Sequence, residues 1–357
     1  MRRPRRVASL LRMTRARPAA LNLISVTATL LLLVVLAIPA KRVLDRGAEA
    51  REAATPLPRY EPARHPRRVF GVYVDPWHVD DWGRAIGAAP SAAAKFESFS
   101  RNRTLGKYAA ESRRQGIRRT MVSWEPWTPV PAALGVDDQA RPQPGYRNID
   151  IARGAQDRYI MRFARSLARF PGTVWLRYAH EMNGYWYPWS RGPRAYRWAW
   201  RRVVRLFDVA GAHNVRFVWS VNANLYEPER TWLANARRYW PGSRYVDYVA
   251  STMINFGGDK EYTVDRFEPR LRALHEAFGK PLVLAETNTE YEGRVRWLRA
   301  LRAMLGRSPW IRAVMWSQLP SRGKAHRTGA TGLVDWDVQR DPPAAAQLRG
   351  IIADGVR

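Results

Sequence analysis

Three neighbouring segments of this sequence decide its fold: TVWLRYA at residues 173–179, RAYRWAWRRVVRLFDVA at 194–210 and VRFVWSV at 215–221. The first and third segments are short and rich in β-branched and aromatic residues, as buried strands are. The middle segment repeats its apolar residues at the spacing of a helix. Two buried strands joined by a helix form a parallel βαβ unit, so the sequence predicts a parallel sheet that is covered by helices.

The same alternation of strand-like and helical patterns recurs from residue 69 onward. We predict six further strands at 69–74, 96–99, 117–123, 245–254, 281–285 and 311–317, and further helices at 104–115, 156–170, 264–278 and 294–305. Eight strands alternating with helices in the 288 residues of 70–357 predict an α/β protein with a (β/α)8 TIM barrel. An open, doubly wound sheet is the alternative.

The first 69 residues have a different composition. Residues 1–18 contain seven Arg and no acidic residue, and residues 19–40 contain no charged residue. An apolar run of this length can cross a bilayer as a helix, and its basic flank predicts a cytoplasmic N-terminus with the remainder of the chain outside. We therefore expect a basic tail at 1–18, a transmembrane anchor at 19–40, a linker rich in Pro and Arg at 41–69 and the barrel at 70–357. A cleaved signal peptide, which would give a secreted protein, is the alternative.

Composition and missing motifs exclude several classes of function. The chain has no Cys, which rules out disulfides, iron–sulfur clusters and Cys nucleophiles. A second His that would complete a zinc motif with His180 and Glu181 is replaced by Gly184, and no G-x-S-x-G motif occurs. We therefore predict no metal and no other cofactor.

The charge of the chain is strongly basic, with 60 Lys+Arg against 31 Asp+Glu and a net charge of +29. The barrel segment contains no long basic block and no nucleic-acid-binding motif, so no nucleic-acid partner is expected. Two interpretations of the Arg-rich surface stay open: it is simply solvated, or it has affinity for an acidic glycan or an anionic cell surface.

Carboxylates, amides and indoles follow the predicted strands at the points where the strands end. These ends meet at one mouth of a (β/α)8 barrel, where active sites lie. Indole faces stack on sugar rings, and carboxylates and amides bind hydroxyl groups, so this mouth is predicted to bind carbohydrate. The predicted site residues are Glu125, Trp127, His180, Glu181, Trp186, Trp189, Asn222, Glu286 and Trp316.

Glu181 and Glu286 are the candidate catalytic pair. They follow the fourth and seventh strands, which lie on roughly opposite sides of an eight-stranded ring, and two carboxylates are the minimum requirement for glycoside cleavage. The alternative is that each Glu only pairs with a nearby Arg. Arg177 is expected to point into the barrel, where Glu125 is its candidate partner, unless it faces the helices and reaches solvent.

The segment VWLRYAHEMNGYWYPW, residues 174–189, resembles the acid/base signature of glycoside hydrolase family 26, and LVLAETN at 282–288 resembles its nucleophile strand. The likeness covers roughly residues 70–340. It implies a retaining endo-β-glycosidase that hydrolyses β-1,4-linked mannan or a related β-glucan or exopolysaccharide. It also implies that Glu181 is the acid/base, that Glu286 is the nucleophile, and that His180 and Trp316 line the subsite of the cleaved sugar.

The loops around this pair are expected to contact the polysaccharide as well. Trp186 and Trp189 follow Glu181 directly, and Trp127 begins a long proline-rich loop at 128–150, which we predict to wall one side of the cleft. Asn222, which ends the fifth strand, is expected to supply a hydrogen bond to the carboxylates.

The sixth strand departs from the family pattern. Residues 252–258 are TMINFGG, with Ile254 where the family usually has a Tyr that hydrogen-bonds the nucleophile. A nucleophile without this donor would be poorly oriented. The alternative function is therefore a catalytically weak or inactive glycan-binding protein that assists the export or assembly of an exopolysaccharide.

Overall fold

A computed structural model of the protein describes residues 68–129, 140–170, 172–255, 262–289, 293–318 and 336–356. Its eight strands are all parallel and pair in chain order. The strands are β1 (Val69–Val72), β2 (Ala92–Ser98), β3 (Arg119–Glu125), β4 (Thr173–Tyr178), β5 (Val215–Asn222), β6 (Tyr248–Asn255), β7 (Leu282–Thr289) and β8 (Ile311–Trp316).

Helices cover the outside of the sheet. They are α1 (Val79–Ile86), α2 (Gly106–Arg114), α3 (Asn148–Ala152), α4 (Asp157–Ala168), α5 (Pro193–Val209), α6 (Glu229–Tyr239), α7 (Val264–Phe278), α8 (Arg294–Arg307) and α9 (Pro342–Val356). Their apolar faces pack on the strands; the Trp124 ring of β3, for example, stacks on Phe163 of α4 at 4.5 Å.

Closure of the sheet confirms the predicted (β/α)8 barrel and excludes the open sheet. β1 pairs with β2 on one side and with β8 on the other, in the register Gly71–Met315. Gly71 permits this close approach, because a Cβ at that position would lie 2.4 Å from the sulfur of Met315. An open sheet would leave β1 or β8 with a free edge.

β2 is the strand that the sequence predicts least completely. It begins at Ala92, four residues before the predicted start. The prediction missed Ala92, Ala93 and Ala94 because alanine has a low intrinsic preference for strands. Their small side chains are buried where the barrel wall is closely packed. Tertiary packing thus overrides local propensity at this strand.

The barrel interior is a packed core whose upper layer is polar. Its apolar part consists of Val69, Tyr73, Ala92, Ala94, Met121, Trp175, Val218, Ala250, Val283, Ala285, Ala313 and Met315. Side chains alternate along a strand, so residues two positions further along β3, β4 and β5 point into the same space. These are Ser123, Arg177 and Ser220, and they form the floor of the mouth.

The predicted anchor at 19–40 and nearly all of the predicted linker lie outside the described residues. Within the described ranges, which begin at residue 68, no helix combines the length and the apolar character that crossing a membrane requires.

Candidate active site

Glu181 is held at the mouth by an unusual backbone. The turn after β4 places Ala179 and Glu181 at φ values of 43° and 55°, in the left-handed region that non-glycine residues rarely adopt. Each such residue costs about 1–3 kcal/mol and persists only where its surroundings enforce it. Here the amide of Glu181 donates to the Ser220 carbonyl of β5 at 2.8 Å. The strained turn therefore fixes the direction of the Glu181 carboxylate.

Arg177 lies beneath both candidate carboxylates and is completely buried. Its Nη1 donates to Glu286 Oε1 at 2.6 Å, and its Nη2 lies 3.9 Å from Glu181 Oε1. Three hydroxyls also accept hydrogen bonds from the guanidinium, those of Ser123, Ser220 and Thr252. Arg177 thus points into the barrel as predicted. The prediction that Glu125 is its partner was wrong, because the carboxylates next to the guanidinium are those of Glu286 and Glu181.

Arg177 is charged within this site. Burial alone would lower its pKa, but the negative charges around it outweigh burial, and the pKa of Arg177 lies above its ordinary value. The largest of these charges is Glu286. Burial, followed by the charge of Glu286, raises the pKa of Tyr73 far above its usual range. The Tyr73 hydroxyl lies 3.1 Å from that of Ser123, which links it to the guanidinium.

A change of register in β7 aims Glu286 at Arg177. Ser251 of β6 pairs with Leu284, whereas the next residue, Thr252, pairs with Glu286, so Ala285 is an extra residue in β7. Such a β-bulge re-aims the side chains that follow it and is common beside active sites. Strict alternation after Val283 would direct Glu286 toward the helices; the bulge directs it into the mouth.

Ile254 occupies the position where a tyrosine was expected. It pairs with Asn288 near the end of β6, shares the sheet face of Thr252 by the two-residue period, and is partly exposed. An isoleucine side chain donates no hydrogen bond to Glu286. Glu286 does accept a charged hydrogen bond from Arg177, on β4.

Trp186 covers Glu181 from the loop after β4. Its indole Nε1 donates to Glu181 Oε2 at 3.0 Å. This position of the ring depends on Gly184, since a Cβ there would lie 2.6 Å from the Trp186 ring atoms. The exposed Tyr185 ring packs edge-on against Trp186 at 5.2 Å. Trp186 therefore lies beside Glu181, and its contact with a sugar stays a prediction.

His180 is buried next to the same loop. Its Nε2 lies 3.2 Å from the hydroxyl of Tyr187, and its ring packs against those of Phe96, Tyr187 and Trp189. Burial, followed by the charges of Glu181, Glu125 and Glu286, raises the pKa of Tyr187 well above its ordinary value. Tyr187 therefore stays a neutral hydroxyl next to His180, and it is not among the residues predicted from the sequence.

Trp189 was expected to contact the polysaccharide, but its ring is buried. It is 1% exposed, stacks on Tyr187 at 4.3 Å, and donates from Nε1 to the carbonyl of His180 at 2.7 Å. With both faces covered, Trp189 supports the His180 turn and leaves no face for a sugar. A tryptophan in a loop is no guide to exposure when the loop folds back on the barrel.

Trp127 and Glu125 form one unit after β3. Trp127 Nε1 donates to Glu125 Oε2 at 3.2 Å, and the Trp127 ring packs edge-on against Tyr187 and Trp189. Both residues are largely buried. They lie at the mouth as predicted and join the loops after β3 and β4.

The long loop that Trp127 begins is described only in part, because residues 130–139 lie outside the described ranges. Its ends are tied together by two hydrogen bonds between the Thr128 backbone and the Gln143 side chain, at 2.7 and 2.9 Å. Asn148 then donates to the carbonyl of Trp189 at 2.9 Å. The described part of this loop therefore packs beside the Glu181 turn.

Asn222 and Trp316 complete the predicted set. The Asn222 side chain accepts a hydrogen bond from the amide of Asn224, and its backbone forms a reciprocal pair with the Asn183 amide. Asn222 thus fixes the end of β5, and no hydrogen bond of it to the carboxylates is seen. Trp316 ends β8 and is fully buried. Within the described residues, no group of His, Asp and Glu is arranged to hold a metal ion.

Comparison with known proteins shows similarity to one family of glycoside hydrolases. Residues 159–291 match glycosyl hydrolase family 26. The chain is 28% identical to endoglucanase H of Acetivibrio thermocellus over 250 residues, which are 66% of this chain and 24% of that protein. It is 23% identical to beta-1,3-xylanase TXYA of a Vibrio species over 215 residues, 59% of this chain and 42% of that protein. The chain thus spans less than half the length of both curated relatives.

Solved structures share the fold. A GH26 β-mannanase from Bacteroides ovatus superposes with a TM-score of 0.54 at 15% identity, covering 81% of this chain and 89% of that one. The catalytic domain of an endo-β-1,4-mannanase from Bacillus sp. JAMB-750 gives a TM-score of 0.56 at 16% identity, with coverages of 81% and 86%. The family match includes both Glu181 and Glu286. The closed barrel and the match over residues 159–291 support glycoside hydrolase family 26 for this part of the chain.

Proposed function

We propose that this protein is a membrane-anchored, retaining endo-β-glycosidase that hydrolyses β-1,4-linked mannan or a related β-glucan or exopolysaccharide. The observation that carries the proposal is the convergence of two carboxylates on one buried guanidinium. Glu286 and Glu181 lie 2.6 and 3.9 Å from nitrogens of Arg177. Two carboxylates gathered around one cation at a barrel mouth are the groups that glycoside cleavage by double displacement needs.

The proposed reaction has two steps. Glu286, as a carboxylate, attacks the anomeric carbon and forms a covalent glycosyl-enzyme, while the bond to the leaving oxygen breaks and Glu181 donates a proton to that oxygen. Glu181 then takes a proton from water, which attacks the anomeric carbon and releases Glu286. Retaining enzymes hold their carboxyl groups about 5–5.5 Å apart, and the retaining course is proposed here from the family resemblance.

The neighbouring contacts assign supporting roles in this mechanism. Arg177 orients Glu286, and the indole N–H of Trp186 orients Glu181. His180 and Tyr187 present polar atoms beside the carboxylates, where hydroxyls of the cleaved sugar would bind. Trp316, at the end of β8, is fully buried, so its part in that subsite rests on the family resemblance alone.

The substrate class is inferred from the relatives' names and from the surface around the mouth. The relatives are named for glucan, xylan and mannan, all β-linked backbones. Trp77, Tyr185 and Tyr226 are exposed aromatic residues on the loops after β1, β4 and β5. Aromatic platforms on several sides of the mouth suit a chain that extends beyond the cleaved bond, as an endo-acting enzyme requires.

A glycan-binding protein without hydrolytic activity is the second candidate. Ile254 favours it, because the site lacks a tyrosine donor to the nucleophile on β6. The hydrogen bond from Arg177 to Glu286 favours hydrolysis, because the nucleophile still has a strong, charged donor.

Hydrolysis screening separates the two candidates. The full chain in mild detergent is incubated with mannan, glucomannan and lichenan, and released reducing ends are measured. Glu286→Gln should abolish release, whereas the control Glu276→Gln, on an exposed position of α7, should leave it unchanged. Binding without release by the unaltered chain would support the glycan-binding candidate. A first product of inverted anomeric configuration in NMR would contradict the retaining mechanism.

The membrane anchor and the external location of the barrel are part of the proposal. They rest on the uncharged run at 19–40 and its Arg-rich flank. Protease added to spheroplasts should release a soluble fragment that comprises roughly residues 70–357. A barrel that is protected from protease until the membrane is lysed would place it in the cytoplasm.

A further inference from the structure

A groove lined with arginine runs along the outside of the barrel between α2 and α4. Its volume is about 590 Å³. The residues that line it are Thr104, Gly106, Ala109 and Arg113 on one side and Arg158, Arg162, Arg165, Ser166 and Arg169 on the other. None of these residues belongs to the candidate active site.

The arginines on the α4 side form a row. Arg158, Arg162, Arg165 and Arg169 follow one another at intervals of four, three and four residues, which places them on one face of the helix. All four are exposed. At 1.5 Å per residue the row is about 16 Å long. Like charges at this spacing repel one another by a few tenths of a kcal/mol per pair, and an anion bound along the row would relieve that repulsion.

Acidic residues close to the groove do not neutralise this row. Asp157, which begins α4, is paired with Arg202 at 2.7 Å. Glu111 of α2 is paired with Arg114 at 2.9 Å. Both carboxylates are thus occupied by arginines that do not line the groove.

Four of the five groove arginines have their guanidinium groups available. Arg162 donates to Asn102 and lies over the ring of Tyr159 at 5.5 Å. For Arg113, Arg158, Arg165 and Arg169, the structure shows no hydrogen bond or ion pair with any described residue. Unpaired guanidiniums in a concave surface are well suited to bidentate binding of carboxylates.

The shape of the groove favours a linear chain. Gly106 and Ala109 form part of the wall that faces the arginine row, and a Cβ added at Gly106 would meet no atom within 4 Å. The wall formed by α2 therefore leaves open space beside the arginine row of α4. An anionic membrane surface is broad and would be met better by a flat or convex patch than by a groove.

We propose that this groove binds a segment of an acidic polysaccharide, a linear glycan with regularly spaced carboxylates. Thr104 and Arg158 lie at the starts of α2 and α4, and helices that follow β2 and β3 start on the mouth side of the barrel. A glycan held in the groove therefore approaches the barrel mouth at one end. Binding here requires no hydrolysis, so the proposal is independent of the proposed activity.

Binding of polygalacturonate to the full chain in detergent tests this site, with a neutral galactomannan as the comparison polymer. The chain carries Glu286→Gln throughout, so that no polymer is cut. The triple variant Arg158→Gln/Arg165→Gln/Arg169→Gln should lower affinity for polygalacturonate about tenfold or more and leave galactomannan binding unchanged. Raising NaCl from about 0.05 to about 0.3 M should weaken binding to the unaltered groove more than to the triple variant.

Two further variants make the outcome decisive. Arg230→Gln/Arg238→Gln/Arg299→Gln removes the same charge from exposed positions of α6 and α8 and should retain full affinity. Gly106→Phe fills the groove without changing charge and should weaken binding. An equal loss in both triple variants would show general electrostatic attraction and overturn the proposal. Binding to phosphatidylglycerol vesicles that depends on the groove, with no binding of polygalacturonate, would also overturn it.

Discussion

Arg177→Met tests the arrangement on which the proposed mechanism depends. Arg177 is fully buried and donates a charged hydrogen bond of 2.6 Å to Glu286, which is itself only 8% exposed. Methionine keeps much of the side-chain volume but removes the charge, so Glu286 becomes a buried carboxylate without its partner. Breaking a buried ion pair by removing one partner costs about 3–5 kcal/mol. The three hydroxyls around Arg177 can rotate toward one another or toward water, so we expect the lower end of this range.

The assay is denaturant unfolding of the full chain in detergent, followed by tryptophan fluorescence. We expect the free energy of unfolding to fall by about 3 kcal/mol and the melting temperature by roughly 6–12 °C. On the proposed mechanism, turnover should fall about 100-fold or more with little change in KM, because the proposed role of Arg177 is to position the nucleophile.

A double-mutant cycle decides whether the ion pair is the cause. In the Glu286→Gln background the carboxylate closest to Arg177 is absent, and only Glu181, at 3.9 Å, loses a cationic neighbour. Adding Arg177→Met should therefore cost at least about 2 kcal/mol less than it does in the unaltered chain. Additive effects, within about 0.5 kcal/mol, would refute the reasoning. The stability loss would then come from the hydroxyl contacts and packing of Arg177.

Three more substitutions probe other parts of the structure. Trp186→Phe keeps an aromatic ring but removes the N–H that donates to Glu181. The kcat on polysaccharide should therefore fall about tenfold, and the kcat on aryl glycosides with good leaving groups should fall less. Equal losses of kcat on both substrates would contradict an orienting role for Trp186. Gly71→Ala should destabilise the barrel by about 1–3 kcal/mol in thermal unfolding, because the new Cβ would meet the sulfur of Met315. A variant as stable as the unaltered chain would show that β8 can shift. Replacing 130–139 with a short glycine linker should weaken polysaccharide binding in affinity electrophoresis and leave thermal unfolding unchanged, and unchanged affinity would show that this segment has no part in the cleft.

Local patterns in the sequence are sufficient to predict much of the fold. Each βαβ unit has its own strand and helix periodicity, and eight such units in one chain leave few topologies besides a closed barrel. Placing Glu181 and Glu286 at the same mouth follows from that topology, because the carboxyl ends of parallel strands lie together. Even the inward direction of Arg177 follows from two-residue alternation along β4.

Local sequence patterns did not predict the contacts between segments that are distant in the chain. The partner of Arg177 depends on an extra residue at Ala285, which changes the register between β6 and β7 and directs Glu286 inward; no short-range pattern signals it. The burial of Trp189 depends on how the loop after β4 folds against the loop after β3.

The sequence by itself therefore determined the barrel, the resemblance to a glycosidase family and the two candidate carboxylates, because these depend on periodicity and on short motifs at strand ends. Only the tertiary structure decided which charges meet in the mouth and which arginines are left unpaired in the groove between α2 and α4. The physical reason is that ion pairs and burial depend on distances between residues far apart in the chain, and these distances are set when the sheet closes and the helices pack around it.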